Sequence, residues 1–227
     1  MRIFIVRHGE SYSNVQGKIM SATDLPLTEK GIKQAEAARA YMEKETLNFQ
    51  YVFSSPLIRA RQTAEIINKN RAKISLRDDL REIELGKLEG LDWEEKMVRY
   101  PDVCLAGNLS KARPPGDESL EDVIVRCRPF IQDLPKGKAE DDNILIVSHG
   151  VTIRVLINCI LGKPDHFADY INWADNTGVS EIGWCIDSGV KSLVRLNDRS
   201  HLTDLSLGSD GYETWGIFSD FEYIAVK

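Results

Sequence analysis

IFIVRHG (residues 3–9) and ILIVSHG (residues 144–150) share one pattern, an uninterrupted apolar run that ends in a histidine and a glycine. Apolar runs of this kind are typical of strands that are buried on both faces, as in the centre of a parallel sheet. In open α/β sheets, ligands bind beyond the carboxyl ends of the strands. We therefore predict that His8 and His149 face one crevice, and that the glycine after each allows backbone and ligand to approach closely.

The segments around these two strands alternate between helical and strand patterns. Thr28 is a candidate N-cap for a helix that continues to about Lys44. Ser55-Pro56 is expected to open a second helix, with proline at its first position, and Ser119 with Asp122 is expected to cap a third. The expected apolar stripe of the first helix is Ile32, Ala35, Tyr41 and Met42. Further strands are predicted at 51–54, 74–76, 179–186 and 191–196. The alternation predicts an α/β fold, a three-layer sandwich with a mostly parallel central sheet flanked by helices.

The bulk composition limits the functional classes. The 227 residues are 42% hydrophobic, which is enough for a substantial core, and the net charge of -6 argues against nonspecific nucleic-acid binding. No signal-like leader and no membrane-spanning apolar run is recognisable, so we expect a cytoplasmic protein without a membrane partner. The four cysteines have no zinc-site spacing and are interpreted as reduced core thiols: Cys104, Cys127, Cys159 and Cys185.

The paired histidines indicate chemistry at phosphorus. A single strand-end histidine is more often structural, with a satisfied hydrogen bond. Two matched cases, one of them preceded by Arg7, favour a functional interpretation. A neutral imidazole is a competent nucleophile near pH 7, and the planar guanidinium group suits phosphoryl oxygens. Together they predict phosphoryl transfer through nitrogen.

Further motifs accompany the two histidines in a fixed order. They are Arg7-His8-Gly9-Glu10-Ser11 with Asn14; Ser54-Ser55-Pro56 with Arg59, Ala60, Thr63 and Ala64; Arg81-Glu82-Ile83 with Gly86, Glu89 and Gly90; and Ser148-His149-Gly150. This set, from about Arg2 to Leu202, resembles the histidine phosphatase superfamily, which includes cofactor-dependent phosphoglycerate mutases and fructose-2,6-bisphosphatases.

The resemblance implies a role for each matching residue. His8 would be the nucleophile and Glu82 the proton donor, while the phosphoryl oxygens would be held by Arg7, Asn14, Arg59 and His149. It also implies a single domain over residues 1–227, with a lid insertion around 91–117. Met20 and Ser21 depart from the family pattern, in which a polar residue and a glycine are usual, so no phosphate contact is assigned to the backbone of this loop.

Three of these residues have structural alternatives. An arginine on a helix, such as Arg59, is ordinarily solvated or in a surface ion pair. Glu82 stands in a run of charged residues that composition alone assigns to a solvated loop. Asn14 is also a suitable cap for a turn.

The predicted function is hydrolysis of small phosphorylated metabolites through a phosphohistidine at His8, without metal or other cofactor. Sequence signatures of cysteine-dependent, aspartate-dependent and metal-dependent phosphatases are absent. Two alternatives stay open, a cofactor-dependent phosphoglycerate mutase and a catalytically silent module that binds phosphorylated ligands. Retention of Glu82 argues against the module, because a binder does not need a proton donor.

Overall fold

The computed structural model describes residues 1–101, 118–163 and 174–203, which contain a six-stranded sheet in the order β3-β2-β4-β1-β5-β6. The strands are β1 (Arg2–Arg7), β2 (Tyr51–Ser54), β3 (Ile74–Leu76), β4 (Asn143–Ser148), β5 (Val179–Trp184) and β6 (Lys191–Asp198). Strands β3, β2, β4 and β1 are mutually parallel, whereas β5 and β6 pair antiparallel at one side. The predicted mostly parallel sheet is confirmed.

Five α-helices lie in the described part of the chain. They are α1 (Glu29–Lys44), α2 (Ile58–Asn68), α3 (Trp93–Arg99), α4 (Leu120–Asp133) and α5 (Gly150–Ile160). Helix α1 begins where predicted, because the Thr28 side chain accepts a hydrogen bond from the Gly31 amide. Helix α4 begins with the predicted capping box of Ser119 and Asp122. Local capping chemistry thus places both helix starts correctly.

Two local predictions are wrong. Helix α2 begins at Ile58 with Leu57 as its N-cap, so Pro56 is not its first residue. The Ser55 amide still donates to Val147 O at 3.0 Å, which keeps the chain at the sheet edge beyond the end of β2. In helix α1, Ile32 is 39% exposed, and the buried positions are Gly31, Gln34, Ala35, Ala38 and Met42.

The two faces of the sheet carry separate apolar cores. Ile3 and Ile5 of β1 pack in a cluster with residues of α4 and α5, whereas Phe4 and Val6 point into a second cluster with residues of α1 and α2. All four side chains are fully buried. Because successive residues of a strand point to opposite faces, each central strand serves both cores. The predicted three-layer sandwich is confirmed.

The strand register brings the two histidines together. Arg7 lies opposite Ser148 in the parallel pair β1–β4, so the next residue of each strand leaves the sheet at the same edge. The His8 amide donates to Ser148 O at 3.0 Å. The site therefore lies at the carboxyl end of the sheet, as expected for this class of fold.

The cysteine prediction is confirmed only in part. Cys127 is buried, Cys159 is half-buried against the core, and Cys185 is exposed after β5, so the latter is not a core thiol. Cys104 lies outside the described residues, as does the predicted lid from residue 102 to 117. Among the residues that are described, no helix combines the length and apolar character needed to cross a membrane.

Candidate active site

A cleft at the carboxyl end of the sheet collects five of the six predicted site residues. Its walls are formed by Arg7, His8, Ser13, Asn14, Lys18, Met20, Arg59 and Glu82. The sixth residue, His149, is fully buried beside His8, and the two ring centroids are 5.1 Å apart. The structure therefore brings together all six residues that the sequence selected.

The His8 ring is held in one tautomer. Its Nδ1 lies 2.7 Å from the Gly9 carbonyl oxygen, which accepts hydrogen bonds and cannot donate them, so Nδ1 carries the proton. Burial, together with the guanidinium groups of Arg59 and Arg7, lowers the pKa of His8 well below its usual value. The imidazole is consequently neutral near pH 7, and its lone pair is on Nε2.

His149 is oriented by the end of the neighbouring strand. Its Nε2 lies 2.8 Å from Ser55 Oγ, and Ser55 is held at the sheet edge through its amide. The Nδ1 atom is buried, and no hydrogen-bond partner for it occurs among the described residues. Burial and the positive charge of Arg59 lower the pKa of His149 well below its usual value. A neutral His149 thus has one buried ring nitrogen without a partner in the described part of the chain.

Two buried arginines supply positive charge to the cleft. Arg7 Nη1 donates to Ala174 O at 2.7 Å, while its Nε is buried without a partner in the part of the chain that is described. Arg59 donates from Nη1 to Thr23 O at 2.9 Å and from Nη2 to Ser21 O at 2.7 Å. Each terminal nitrogen of a guanidinium group carries two hydrogens, so Arg59 keeps donors for an anionic ligand. The surface alternative for Arg59 is wrong, because its side chain is only 3% exposed.

Glu89 occupies the amides of the loop that departs from the family pattern. The amides of Ser21 and Thr23 donate to its Oε1 at 3.1 and 2.5 Å. Burial opposes ionisation, but the hydrogen bonds from Thr23 and Ser21 lower the pKa of Glu89. These two amides are therefore committed to Glu89, while the carbonyls of the same residues face Arg59.

Asn14 combines a structural contact with a place in the cleft. Its Oδ1 accepts from the amide and the hydroxyl of Ser11, both at 2.9 Å. Because the Ser11 amide is a donor, the side-chain oxygen of Asn14 must be the atom that faces it. Asn14 caps the turn through its oxygen, which leaves its Nδ2 group for other contacts.

The side chain of Glu82 lies against the beginning of helix α5. Its Oε2 accepts from the Val151 amide at 3.3 Å, and its Oε1 accepts from the Thr152 amide at 3.3 Å. His149 is the N-cap of this helix but makes no side-chain capping bond. The Glu82 carboxyl group thus meets two helix amides that need an acceptor. Glu82 is 7% exposed, so the solvated-loop alternative is wrong.

The net charge of the cleft wall is positive, although the whole chain carries a formal charge of -6. Arg7, Lys18 and Arg59 contribute three positive charges, and Glu82 is the one acidic residue among the described residues that line the cleft. Within the described residues, no group of three His, Cys, Asp or Glu side chains is arranged to hold a metal ion. The local charge matches an anionic ligand.

Comparison with known proteins agrees with this geometry. The family model of the histidine phosphatase superfamily (branch 1) matches residues 3–199. The chain belongs to this superfamily. It is 30% identical over 223 residues to a probable phosphoglycerate mutase, GpmB, of Erwinia tasmaniensis, covering 91% of this chain and 97% of the relative. It also resembles the crystal structure of an alpha-ribazole phosphatase from Shigella flexneri, with a TM-score of 0.78, 27% identity, and coverage of 88% and 97% of the two chains.

A third relative is a much longer protein. The 6-phosphofructo-2-kinase/fructose-2,6-bisphosphatase of Caenorhabditis elegans is 31% identical over 207 residues, which are 90% of this chain and 40% of the relative. The histidine phosphatase described here thus spans less than half of that protein. Phosphatases and mutases both occur among its relatives, and the chain is an enzyme of this histidine-dependent class.

Several residues around the site of this histidine phosphatase were not predicted from the sequence. Ser13 and Lys18 line the cleft at the two ends of a short turn, and the Ser13 hydroxyl is buried without a partner among the described residues. Asn176 Nδ2 donates to His8 O at 2.9 Å. The next residue, Thr177, has a φ of 58°, which is rare for a β-branched side chain, and its amide donates to Arg7 O. This strained threonine is joined to the strand end that carries His8, and only the folded backbone reveals it.

Gly9 is required by packing. A side chain at this position would place its Cβ 2.5 Å from Gly31 O in the first turn of α1. The sequence prediction assigned the close approach at Gly9 to a ligand, whereas the structure shows an approach to the backbone of a helix. Gly9 therefore fixes the distance between the loop after β1 and helix α1.

The buried neutral histidines make a prediction about stability and pH. Because the pKa of His8 is lowered in the folded protein, the unfolded chain binds a proton below about pH 6.5 that the folded chain does not bind. Acidification from pH 7.5 to 5.5 should therefore lower the free energy of unfolding. The His8 contribution is up to about 1.4 kcal/mol per pH unit below 6.5. The free energy of unfolding, measured with urea at both pH values, should fall less on acidification for His8→Asn than for the wild type. Equal decreases in the two proteins would contradict a neutral His8.

Proposed function

We propose that this chain hydrolyses small phosphomonoesters through a covalent phosphohistidine at His8. One observation carries the proposal: the His8 ring donates from Nδ1 to Gly9 O in a cleft that also contains Arg7 and Arg59. This arrangement presents the lone pair of Nε2 beside two groups that bind phosphoryl oxygens.

In the first step, Nε2 of His8 attacks phosphorus. Arg7, Arg59, Asn14 and His149 hold the nonbridging oxygens, whose negative charge is stabilised as the N–P bond forms. The bond from phosphorus to the ester oxygen breaks, and its electron pair stays on that oxygen. A proton from Glu82 neutralises the departing alkoxide. We assign this proton to Oε2, because Oε1 accepts from more donors: Ile83 N, Thr152 N and Thr152 Oγ1.

In the second step, water attacks the phosphohistidine. The Glu82 carboxylate accepts a proton from the water, the N–P bond breaks, and its electron pair returns to Nε2. Inorganic phosphate leaves, and both His8 and Glu82 recover their initial protonation states. The scheme needs no metal ion, because the guanidinium groups supply the positive charge that a cation would otherwise bring.

The proposed substrates are small phosphorylated metabolites. The positive cleft favours a phosphate dianion, and one structural relative is an alpha-ribazole phosphatase. A mutase is the second candidate, because another relative is a probable phosphoglycerate mutase. We favour water as the acceptor. A mutase must retain a highly anionic intermediate. Helix α3, which follows the Glu82 segment in the chain, carries the acidic Glu94 and Glu95 in its first turn, and this charge disfavours such an intermediate.

The proposal is tested by measuring how the phosphoryl group is divided between water and a phosphorylated isomer of the substrate. A panel of phosphometabolites first identifies the best substrate, and 3-phosphoglycerate with catalytic 2,3-bisphosphoglycerate is included as the mutase reaction. For each active compound, inorganic phosphate and phosphorylated isomer are measured in the same sample. We expect one inorganic phosphate for each alcohol released, with isomer below about a tenth of the product. Isomerisation that outruns phosphate release would identify a mutase instead.

A further inference from the structure

The backbone that carries Glu82 is bound through every one of its carbonyl groups. The segment from Asp79 to Glu82 follows strand β3 and contacts helices α4 and α5. Its carbonyl oxygens accept hydrogen bonds from side chains of α4, β4 and α5. Asp79 O accepts from Arg126 Nη1 at 2.7 Å and Cys127 Sγ at 3.1 Å, and Leu80 O accepts from Ser148 Oγ at 2.8 Å. Arg81 O accepts from Thr152 Oγ1 at 2.6 Å and Arg126 Nη2 at 2.9 Å, and Glu82 O accepts from Arg126 Nη2 at 3.2 Å.

Arg126 makes more of these contacts than any other described side chain. Its guanidinium group reaches the carbonyls of Asp79, Arg81 and Glu82, and its fork of donors suits several acceptors at once. A lysine ammonium group offers fewer donors from a single nitrogen and cannot span the same set. Arg126 thus determines where the chain turns as it presents Glu82 to the cleft.

Glu118 completes the contact on the other side of Glu82. It accepts from Arg126 Nε at 2.7 Å, and its Oε2 also accepts from the Glu84 amide at 3.1 Å. The Glu118 amide donates in turn to Glu84 O at 3.1 Å. The side chains of Arg126 and Glu118 are 21% and 22% exposed, so the pair is largely shielded from solvent. The Arg126–Glu118 ion pair therefore binds the backbone on both sides of the Glu82 side chain, at residues 79–82 and at Glu84.

We infer that Arg126 is a positioning residue that holds the carboxyl group of Glu82 in place for proton transfer. This inference rests on the proposed function. Arg126 is not among the residues that line the cleft of His8, and its hydrogen bonds reach the Glu82 segment through the backbone carbonyls of 79–82. Without it, Glu82 keeps its contacts to the start of α5, but the Glu82 carbonyl loses its contact to Arg126, and the carbonyls of Asp79 and Arg81 each lose one of two donors. Proton transfer depends steeply on such placement.

The test separates positioning from general stability. Arg126→Gln and Arg126→Lys are prepared alone and together with Glu82→Gln, and kcat/KM is measured on an alkyl phosphate and on p-nitrophenyl phosphate. The matched control is Arg128→Gln, which removes an exposed arginine from the same helix. Thermal unfolding of each variant gives the folded fraction at the assay temperature.

We expect Arg126→Gln to lower kcat/KM on the alkyl phosphate by about 10- to 100-fold and on p-nitrophenyl phosphate by less than about threefold. Arg126→Lys should lie between Arg126→Gln and the wild type, and Arg128→Gln should match the wild type. In the Glu82→Gln background, adding Arg126→Gln should lower kcat/KM by less than about a further twofold, because the carboxyl group that Arg126 positions is already absent.

Two results would overturn the inference. One is an equal loss on both substrates, and the other is a full additional loss in the Glu82→Gln background. If Arg126→Gln does not fold, the same comparison with Arg126→Lys decides. Failure of the proposed function would be visible separately, as a Glu82→Gln variant that treats both substrates alike.

Discussion

Replacing His8 with asparagine is expected to reduce kcat/KM at least about 10³-fold for every phosphoester, whatever its leaving group. Asparagine retains a polar side chain but has no nucleophilic nitrogen, because the lone pair of its amide nitrogen is delocalised. Arg7 and Arg59 stay in place, so binding of inorganic phosphate should weaken by less than about tenfold. Steady-state kinetics and a phosphate titration measure the two effects on one preparation.

The contrast between turnover and binding makes this prediction specific. A variant that still turns over substrate at a tenth of the wild-type rate would exclude His8 as the nucleophile. A variant that loses phosphate binding as severely as turnover would show instead that His8 is part of the anion site. The thermal unfolding midpoint serves as the control for folding.

Glu82→Gln is expected to discriminate between leaving groups. The kcat/KM value reports the phosphorylation step, in which an alkoxide needs a proton and p-nitrophenolate does not. We expect a loss of about 10² to 10⁴ on alkyl phosphates and less than about tenfold on p-nitrophenyl phosphate. Glutamine keeps one acceptor oxygen, so one of the two contacts to the amides at the start of α5 survives in this variant.

Glu84→Gln is the matched control for this experiment. Glu84 lies two residues further along the same segment, forms an ion pair with Arg81 and does not line the cleft. Its replacement should affect both substrates equally and slightly. Equal losses on both substrates for Glu82→Gln would show that Glu82 caps helix α5 and does not donate a proton.

The parts of the fold that were predicted correctly depend on local signals. The runs at 3–6 and 144–147 have no polar position on either face, so they had to be central strands, and the shared histidine placed both ends at one edge. The helix starts at Thr28 and Ser119 follow from side chains within three residues of each start. The strands predicted at 179–186 and 191–196 are present as β5 and β6 and pair antiparallel.

The parts that were missed depend on contacts distant in sequence. The start of α2 is delayed by a hydrogen bond from Ser55 to strand β4, which no local pattern contains. Glu82 was selected only through the family resemblance, because its environment is built by α5, about 70 residues further on. Arg126 escaped notice for the same reason, since its acceptors are backbone carbonyls more than 40 residues away. Burial of a charged side chain is a property of the fold, not of its neighbours in the chain.

Identification of the phosphorylated residue tests the central claim most directly. Wild-type enzyme and Glu82→Gln are mixed with p-nitrophenyl phosphate, quenched in alkali within the first turnover, and mapped by mass spectrometry. The account predicts one phosphoryl group on His8, stable in alkali and lost in acid, with a larger trapped fraction in Glu82→Gln because the second step also uses this residue. Phosphate on a serine, on an aspartate or on His149 would contradict it.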